Sequence, residues 1–179
     1  MSSPGTELEL TVDRIAHGGV GVARHDGRVV FVADAIPGET VRARLTETRK
    51  KSFWRADTIE VLTPSEHRRP HVWSAAGVER DPAERAGGAD FGHIALAHQR
   101  ELKRRVLVES MARMGRVDVG DDSEHPAAGV RVQALPGDDA ANGLGWRTRV
   151  RMHVADDGRI GPMAARSHRV VPVADVPLA

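Results

Sequence analysis

The stretch VGVARHDGRVVFV, residues 20–32, decides the fold of the N-terminal third of the chain. Two valine-rich runs flank Asp26-Gly27, a pair that tolerates positive φ and favours a two-residue hairpin turn. Upstream, apolar and polar residues alternate from Leu8 to Val12, which is typical of a strand with one buried face. The stretch therefore predicts a β-hairpin within a small β domain.

The residues downstream of the hairpin extend this domain. Pro37-Gly38 suits the central positions of a type II turn, apolar residues alternate with arginine up to Leu45, and Trp54–Val61 predicts a last strand. Short strands joined by tight turns over residues 5–63 predict a closed or nearly closed barrel of the OB type, with an SH3-like barrel as the alternative.

The glycines of Gly18-Gly19-Val20-Gly21 lie inside this β region. A phosphate-binding loop would lead into a helix and carry a lysine and a serine or threonine, whereas this run leads into a strand. A bend or bulge in the barrel is therefore the favoured interpretation.

Beyond the barrel, the sequence predicts mainly β structure with one long helix, an α+β arrangement. Residues 64–93 lack clear periodicity and predict a linker, and residues 94–116 show helical spacing of apolar residues without an internal proline. Asp118–Gly145 predicts a long loop with one short strand at Val130–Ala134. Trp146–Ala155 predicts a strand, which a turn joins to a second strand ending near Val173.

Composition limits the function classes. The 179 residues contain no apolar run long enough to span a membrane and no N-terminal signal pattern, so we expect a cytoplasmic protein without membrane partners. The absence of cysteine excludes disulfides, thiolate metal sites and a cysteine nucleophile within this chain. The formal net charge is +1, so any nucleic-acid interface must rest on local patches.

Two local patches are candidates for nucleic-acid binding. The first interleaves cations with aromatic rings, a combination that suits single-stranded nucleic acid: Arg49, Lys50, Lys51, Phe53 and Trp54. A solvated loop with Trp54 in the core is an equally open alternative. The second is a row of arginines on one face of the predicted strand: Arg147, Arg149 and Arg151. RNA phosphate is favoured here over a charged edge strand that prevents aggregation.

Three stretches together resemble one known family. ELTVDRIAHGGVGVARHDGRVVFVADAIPGETVRARL, residues 9–45, is similar to the TRAM barrel of the bacterial RNA uracil-5-methyltransferases. GWRTRVRMHV and GRIGPMAARSHRVVPV, residues 145–154 and 158–173, are similar to the hairpin of the family's central domain. The resemblance implies an OB-like TRAM barrel at residues 5–63, followed by an incomplete α+β central domain. Its RNA-binding β region would occupy residues 126–179.

The same resemblance gives an expectation for the loop before the helix. Relatives that bind a [4Fe-4S] cluster carry Cys-Gly-Gly-Cys where this chain has Ala86-Gly87-Gly88-Ala89, and His93, Gln99 and Lys103 keep the register. The four cluster positions correspond here to Arg80, Ala86, Ala89 and Val176, none of which can ligate iron. We expect a degenerate, cluster-free loop whose glycines keep a backbone turn and whose His93 is structural.

The resemblance also implies which function the chain lacks. The family's chemistry uses a cysteine thiolate and S-adenosylmethionine, and the sequence offers neither a cysteine nor a motif for the methyl donor. We therefore expect the RNA-recognition part of a methyltransferase, without catalytic residues and inert alone. Its partners would be structured RNA, either tRNA or rRNA, and a missing or separately encoded catalytic domain, toward which the helix would pack. A free-standing RNA-binding protein of the TRAM or cold-shock kind and a non-binding relic are the alternatives.

Overall fold

The computed structural model describes residues 3–119 and 129–179. Its N-terminal part is a closed barrel with the strand order β1-β2-β3-β5-β4, in which β3 and β5 pair in parallel and the other neighbours are antiparallel. The strands are β1 Glu7–Ile15, β2 Gly21–His25, β3 Arg28–Ala33, β4 Thr40–Glu47 and β5 Phe53–Thr63. This arrangement confirms the expected OB-like barrel.

The turns of the barrel follow from local sequence. Asp26 and Gly27 have φ of 48° and 76° and join β2 to β3, as the hairpin prediction required. Gly38 has φ of 91°, and the N–H of Glu39 donates to the carbonyl of Ile36 at 3.1 Å, which closes the predicted turn before β4.

The glycine run before β2 forms a bend, as predicted. The N–H of Gly19 donates to the carbonyl of Ala16 at 3.0 Å, and the chain then enters β2. Gly21 serves close packing, because an added Cβ there would lie 2.9 Å from Val12 Cγ1 and 3.1 Å from the carbonyl oxygen of Val32.

The barrel core contains the inward members of each alternating strand. Its buried side chains are Leu10, Val12, Ala23, Val30, Val32, Ala35, Val41, Ala43, Leu45, Trp54 and Ala56. A separate cluster joins the barrel to the helix: Ile15, Ile36, Ile94 and Leu102. The first cluster therefore fills the barrel, and the second holds the helix against it.

The predicted helix is present with a later start and an altered end. α1 spans Leu96–Ser110 and continues into a π-helical turn over Met111–Gly115, which Arg116 ends with φ of 53°. Its apolar face is only partly covered, since Leu107 is 42% and Met114 78% exposed. None of the helices in the described ranges is long and apolar enough to cross a membrane.

The C-terminal part contains less strand than predicted. In the described residues 129–179 the paired strands are β6, His153–Val154, and β7, Ile160–Gly161, so the strand prediction is wrong for residues 146–152. The backbone N–H of Arg147 donates to the carbonyl of Leu178 at 2.8 Å instead of joining a strand ladder.

Two further predictions concern the surrounding residues. The strand predicted at Val130–Ala134 is absent from these described residues. The predicted second strand is reduced to β7 and an isolated bridge between Met163 and Val170. Residues 126–128 of the expected central region lie outside the described residues.

Candidate nucleic-acid interface

The loop between β4 and β5 presents three cations at the surface. Arg49, Lys50 and Lys51 are exposed, and none of them forms an ion pair with a described residue. Because their charges are not neutralised by neighbours, this loop can attract phosphate. The three cations of the first predicted patch are thus accessible to a ligand.

Trp54 needs a correction as a candidate for base stacking. Its side chain is 7% exposed and belongs to the barrel core, with Arg28 lying 4.9 Å from the ring centroid. The parity of β5 explains this, since Trp54 shares the inward face with the buried Ala56 and Thr58. A stacking role for Trp54 does not fit this conformation, whereas Phe53 points outward.

Phe53 has two neighbours on the outer face of the barrel that sequence reasoning missed. Its ring lies 5.4 Å from that of Phe31 at an interplanar angle of 70°. The guanidinium carbon of Arg55 lies 5.6 Å from the Phe31 centroid and 5.5 Å from the Phe53 centroid. We call Phe31, Phe53 and Arg55 the β3–β5 patch. The sequence signal was the shared parity of Phe53 and Arg55 on β5, but the proximity of Phe31 requires the parallel pairing.

The predicted arginine row is not a single strand face. Arg147 donates from Nη2 to the carbonyl of Gly88 at 2.8 Å, and its guanidinium carbon lies 4.9 Å from the Trp146 centroid. Arg149 and Arg151 are exposed and make no ion pair among the described residues. Trp146, which the predictions omitted, is 60% exposed. The side chain of Arg147 is thus partly occupied by contacts within the chain, whereas the side chains of Arg149 and Arg151 are available to a ligand.

The loop at residues 86–89 is held in place by apolar packing. Ala86 and Ala89 are buried in a cluster with Trp73 and Leu178. Arg80 is exposed and Val176 is half-buried. Within residues 3–119 and 129–179, no group of three His, Cys, Asp or Glu side chains is placed to hold a metal ion.

The two glycines of this loop have different tasks. The N–H of Gly87 donates to the carbonyl of Met163 at 3.0 Å, and a Cβ on Gly87 would lie 2.8 Å from the same oxygen. Gly88 has φ of 94°, a region that favours glycine. The pair therefore sets a turn that lies directly against the segment at Met163.

Two histidines lie behind the loop. His71 accepts from the Trp73 N–H at Nδ1 (3.0 Å) and lies 3.1 Å from the Ala89 carbonyl at Nε2, and burial lowers its pKa. His93 is 4% exposed, and neither ring nitrogen has a partner. Burial, with nearby Arg68 next in effect, lowers the pKa of His93 to about 3. A neutral, buried His93 supports the structural role expected for it.

Arg85 and Arg166 form two of the ion pairs that connect the barrel to the segments beyond it. Arg85 donates from Nη1 to Asp34 Oδ2 at 2.8 Å, and Arg166 donates from Nη2 to Asp57 Oδ1 at 2.6 Å. Burial raises the pKa of Asp57, while Arg166 opposes the shift. These two arginines are therefore engaged in holding the chain segments together.

The family comparison identifies the barrel. Residues 2–53 match the TRAM domain family. The match ends at the first residue of β5, the strand that completes the closed barrel. The chain therefore contains a TRAM domain with an OB-like fold.

Comparison with curated proteins extends the relationship beyond the barrel. An uncharacterized RNA methyltransferase of Bifidobacterium longum is 40% identical over 97% of this chain and 38% of its own length. One of Streptomyces coelicolor is 38% identical over 97% of this chain and 37% of its own length. The 23S rRNA (uracil(1939)-C(5))-methyltransferase RlmD of a Shewanella strain is 37% identical over 92% of this chain and 33% of its own length.

The chain is thus homologous to the N-terminal part of proteins named RNA methyltransferases, and it spans 33–38% of the length of these three relatives. A solved structure of a conserved Methanococcus maripaludis protein is 38% identical over 31% of this chain and 79% of its own. Its TM-score is 0.30, too low to bear on the fold.

Proposed function

We propose that this chain is the RNA-binding N-terminal part of an S-adenosylmethionine-dependent RNA (uracil-5-)methyltransferase that acts on tRNA or rRNA in the cytoplasm. The observation that carries the proposal is the 40% identity over 97% of the chain to a protein named RNA methyltransferase, with the TRAM match inside it. A relative named for uracil methylation of 23S rRNA supports the substrate class.

The proposed division of labour follows the expected domains. The barrel at residues 5–63 and the region at residues 126–179 bind RNA, residues 64–93 connect them, and the helix at residues 94–116 packs on a catalytic domain. The exposed Leu107 and Met114 on this helix support such a contact. S-adenosylmethionine belongs to the catalytic domain, and no iron–sulfur cluster is bound by this chain.

The proposed RNA contacts combine phosphate attraction with stacking. Arg49, Lys50 and Lys51 on the barrel contact phosphates, and so do Arg147, Arg149 and Arg151 beyond it. Phe53 stacks on a base. This chain by itself does not transfer methyl groups, because it contains no cysteine to add to uracil C6.

Fluorescence anisotropy of the purified chain tests the proposal. The labelled probes are a folded tRNA, an rRNA hairpin and a DNA duplex, each titrated over a salt series. The proposal expects salt-dependent binding that prefers structured RNA over the DNA duplex. Absence of RNA binding at about 0.1 M salt, where the Debye length is near 10 Å, would contradict it.

A free-standing RNA-binding protein of the TRAM or cold-shock kind is the second candidate. The closed barrel with its own buried core supports it, because such a module needs no second chain to fold. This candidate expects a stable monomer with submicromolar RNA affinity. Finding a methyltransferase domain encoded directly downstream would favour the first candidate instead.

A further inference from the structure

The β3–β5 patch combines two aromatic rings and a guanidinium on a face that the barrel does not need for its core. In the parallel register of β3 and β5, Phe31 pairs with Arg55 and Val29 pairs with Phe53. Paired residues point to the same side of a sheet, so these four side chains share the outer face. Phe31, Phe53 and Arg55 are each half-buried, whereas the inner-face neighbour Trp54 is 7% exposed.

The guanidinium of Arg55 is held in place beside both rings. Its Nε lies 3.3 Å from Oε2 of Glu47, and 34% of the Arg55 side chain stays exposed. A planar guanidinium beside aromatic rings offers further π and cationic surface to an incoming ring. The patch therefore has the components of a stacking platform, positioned by the pairing of β3 with β5.

The charge around the patch favours the binding of a polyanion. Between Glu47 and Asp57 the sequence carries four cations, Arg49, Lys50, Lys51 and Arg55, and no acidic residue. The first three form the exposed loop that leads directly into Phe53. A strand of nucleic acid crossing this face would thus meet cations beside the stacking surface.

We infer that the β3–β5 patch binds an unpaired nucleobase of RNA by stacking, while the loop at residues 49–51 contacts the neighbouring phosphates. This inference rests on the proposed RNA-binding function and adds Phe31 and Arg55 to its contacts. The patch selects unpaired bases, because bases within an A-form duplex are stacked on each other and expose only their edges in the grooves. It is tolerant of sequence, since every base offers a π-face.

The test measures the affinity of the full chain for two RNA probes of equal length, an unstructured 12-mer and a duplex that contains the same sequence. Phe31→Leu and Phe53→Leu remove the aromatic faces and keep apolar volume, and Arg55→Lys keeps the charge and removes the planar group. Arg42→Gln is the control, because Arg42 lies on β4 in an exposed ion pair with Glu60. Melting curves establish that each variant folds.

The inference expects the double variant Phe31→Leu, Phe53→Leu to bind the unstructured probe at least about fivefold more weakly. Its affinity for the duplex should change by less than about twofold, and Arg55→Lys should show the same selectivity in smaller measure. Equal weakening for both probes, or no weakening, overturns the inference and leaves RNA binding by the chain intact. Lack of binding by the unsubstituted chain to the 12-mer also overturns the inference, whereas lack of binding to the folded tRNA and the rRNA hairpin as well overturns the proposed function itself. If the folded double variant keeps its RNA affinity but loses a contact with a catalytic domain, the patch is a protein interface.

Discussion

Glu39 and Arg68 form a buried ion pair with two hydrogen bonds, Nε to Oε1 at 2.5 Å and Nη2 to Oε2 at 2.7 Å. The Glu39 side chain is fully buried, and it also accepts the backbone N–H groups of Ile36 and Ser65. The Glu39 carboxylate, which follows the Pro37-Gly38 turn, therefore connects the start of β4 to the segment that follows β5.

This pair predicts the cost of removing the arginine. Arg68→Met leaves a buried carboxylate without its counter-charge, so we expect the free energy of unfolding to fall by about 3–5 kcal/mol. Urea denaturation followed by tryptophan fluorescence measures the change. Arg42→Gln, which breaks the exposed pair with Glu60, should cost less than about 1 kcal/mol. Similar losses of the free energy of unfolding in both variants would show that the buried pair stabilises the fold no more than the exposed pair does.

The glycines of the loop before the helix give the second prediction. We expect Gly87→Ala to lower the free energy of unfolding by about 1–3 kcal/mol, because the new Cβ would press on the Met163 carbonyl. Gly88→Ala should cost about 1 kcal/mol or more through its positive φ. Gly115→Ala is the matched control, since the nearest atom to its Cβ would be Val117 Cγ2 at 3.7 Å. A control that loses as much stability would contradict the assignment.

Local signals in the sequence predicted the barrel well. Asp26-Gly27 and Pro37-Gly38 fix their turns by backbone preference, and alternation fixes which residues of β1 to β5 face inward. The alternation along β5 also indicated that Trp54 faces inward. The aromatic and basic residues around it favoured a surface role instead.

The remaining features depend on pairing between distant segments. Residues 146–152 alternate as a strand would, yet the backbone of Arg147 bonds to Leu178, so alternation without a partner strand predicted the wrong structure. The contact of Phe31 with Phe53 requires the parallel register of β3 and β5, and the pairing of Glu39 with Arg68 spans 29 residues. No local pattern reports such contacts.

The buried His93 predicts an acid-sensitive fold. Its pKa is about 3 in the folded chain against an ordinary value of 6.5, so below pH 6.5 the unfolded chain binds a proton that the folded chain does not. The free energy of unfolding should therefore fall with decreasing pH, by about 1.4 kcal/mol per unit between pH 6.5 and 3. Above pH 6.5 the ring is neutral in both states and contributes no slope.

The measurement is urea denaturation at several pH values between 7.5 and 4, a range taken around the ordinary histidine pKa of about 6.5. His93→Gln should reduce the slope, whatever it does to the stability at neutral pH. His71 also has a pKa lowered by burial, so part of the slope should persist in that variant. His98→Gln is the comparison: burial also lowers the pKa of His98, but this side chain is less buried than His93, so its removal should change the slope less. An unchanged slope in His93→Gln would contradict a neutral, buried His93.

The degenerate loop predicts a protein without iron. Ala86 and Ala89 pack in the cluster around Trp73, and the chain has no cysteine, so the purified protein should be colourless. Iron analysis and the visible absorbance spectrum check this, and a chelator should leave the melting temperature unchanged. Stoichiometric iron with broad visible absorbance would refute the prediction.

The arginines beyond the barrel give the last prediction. Replacing Arg149 and Arg151 together with Gln should weaken RNA binding and reduce the slope of log affinity against log salt by about one unit per lost phosphate contact. Arg147→Ala should also lower thermal stability, because Arg147 contacts the Gly88 carbonyl and the Trp146 ring. Anisotropy titrations over a salt series measure the slope, with Arg42→Gln, which removes one exposed positive charge from β4, as the control. A slope that stays the same in the double variant would place the RNA elsewhere on the chain.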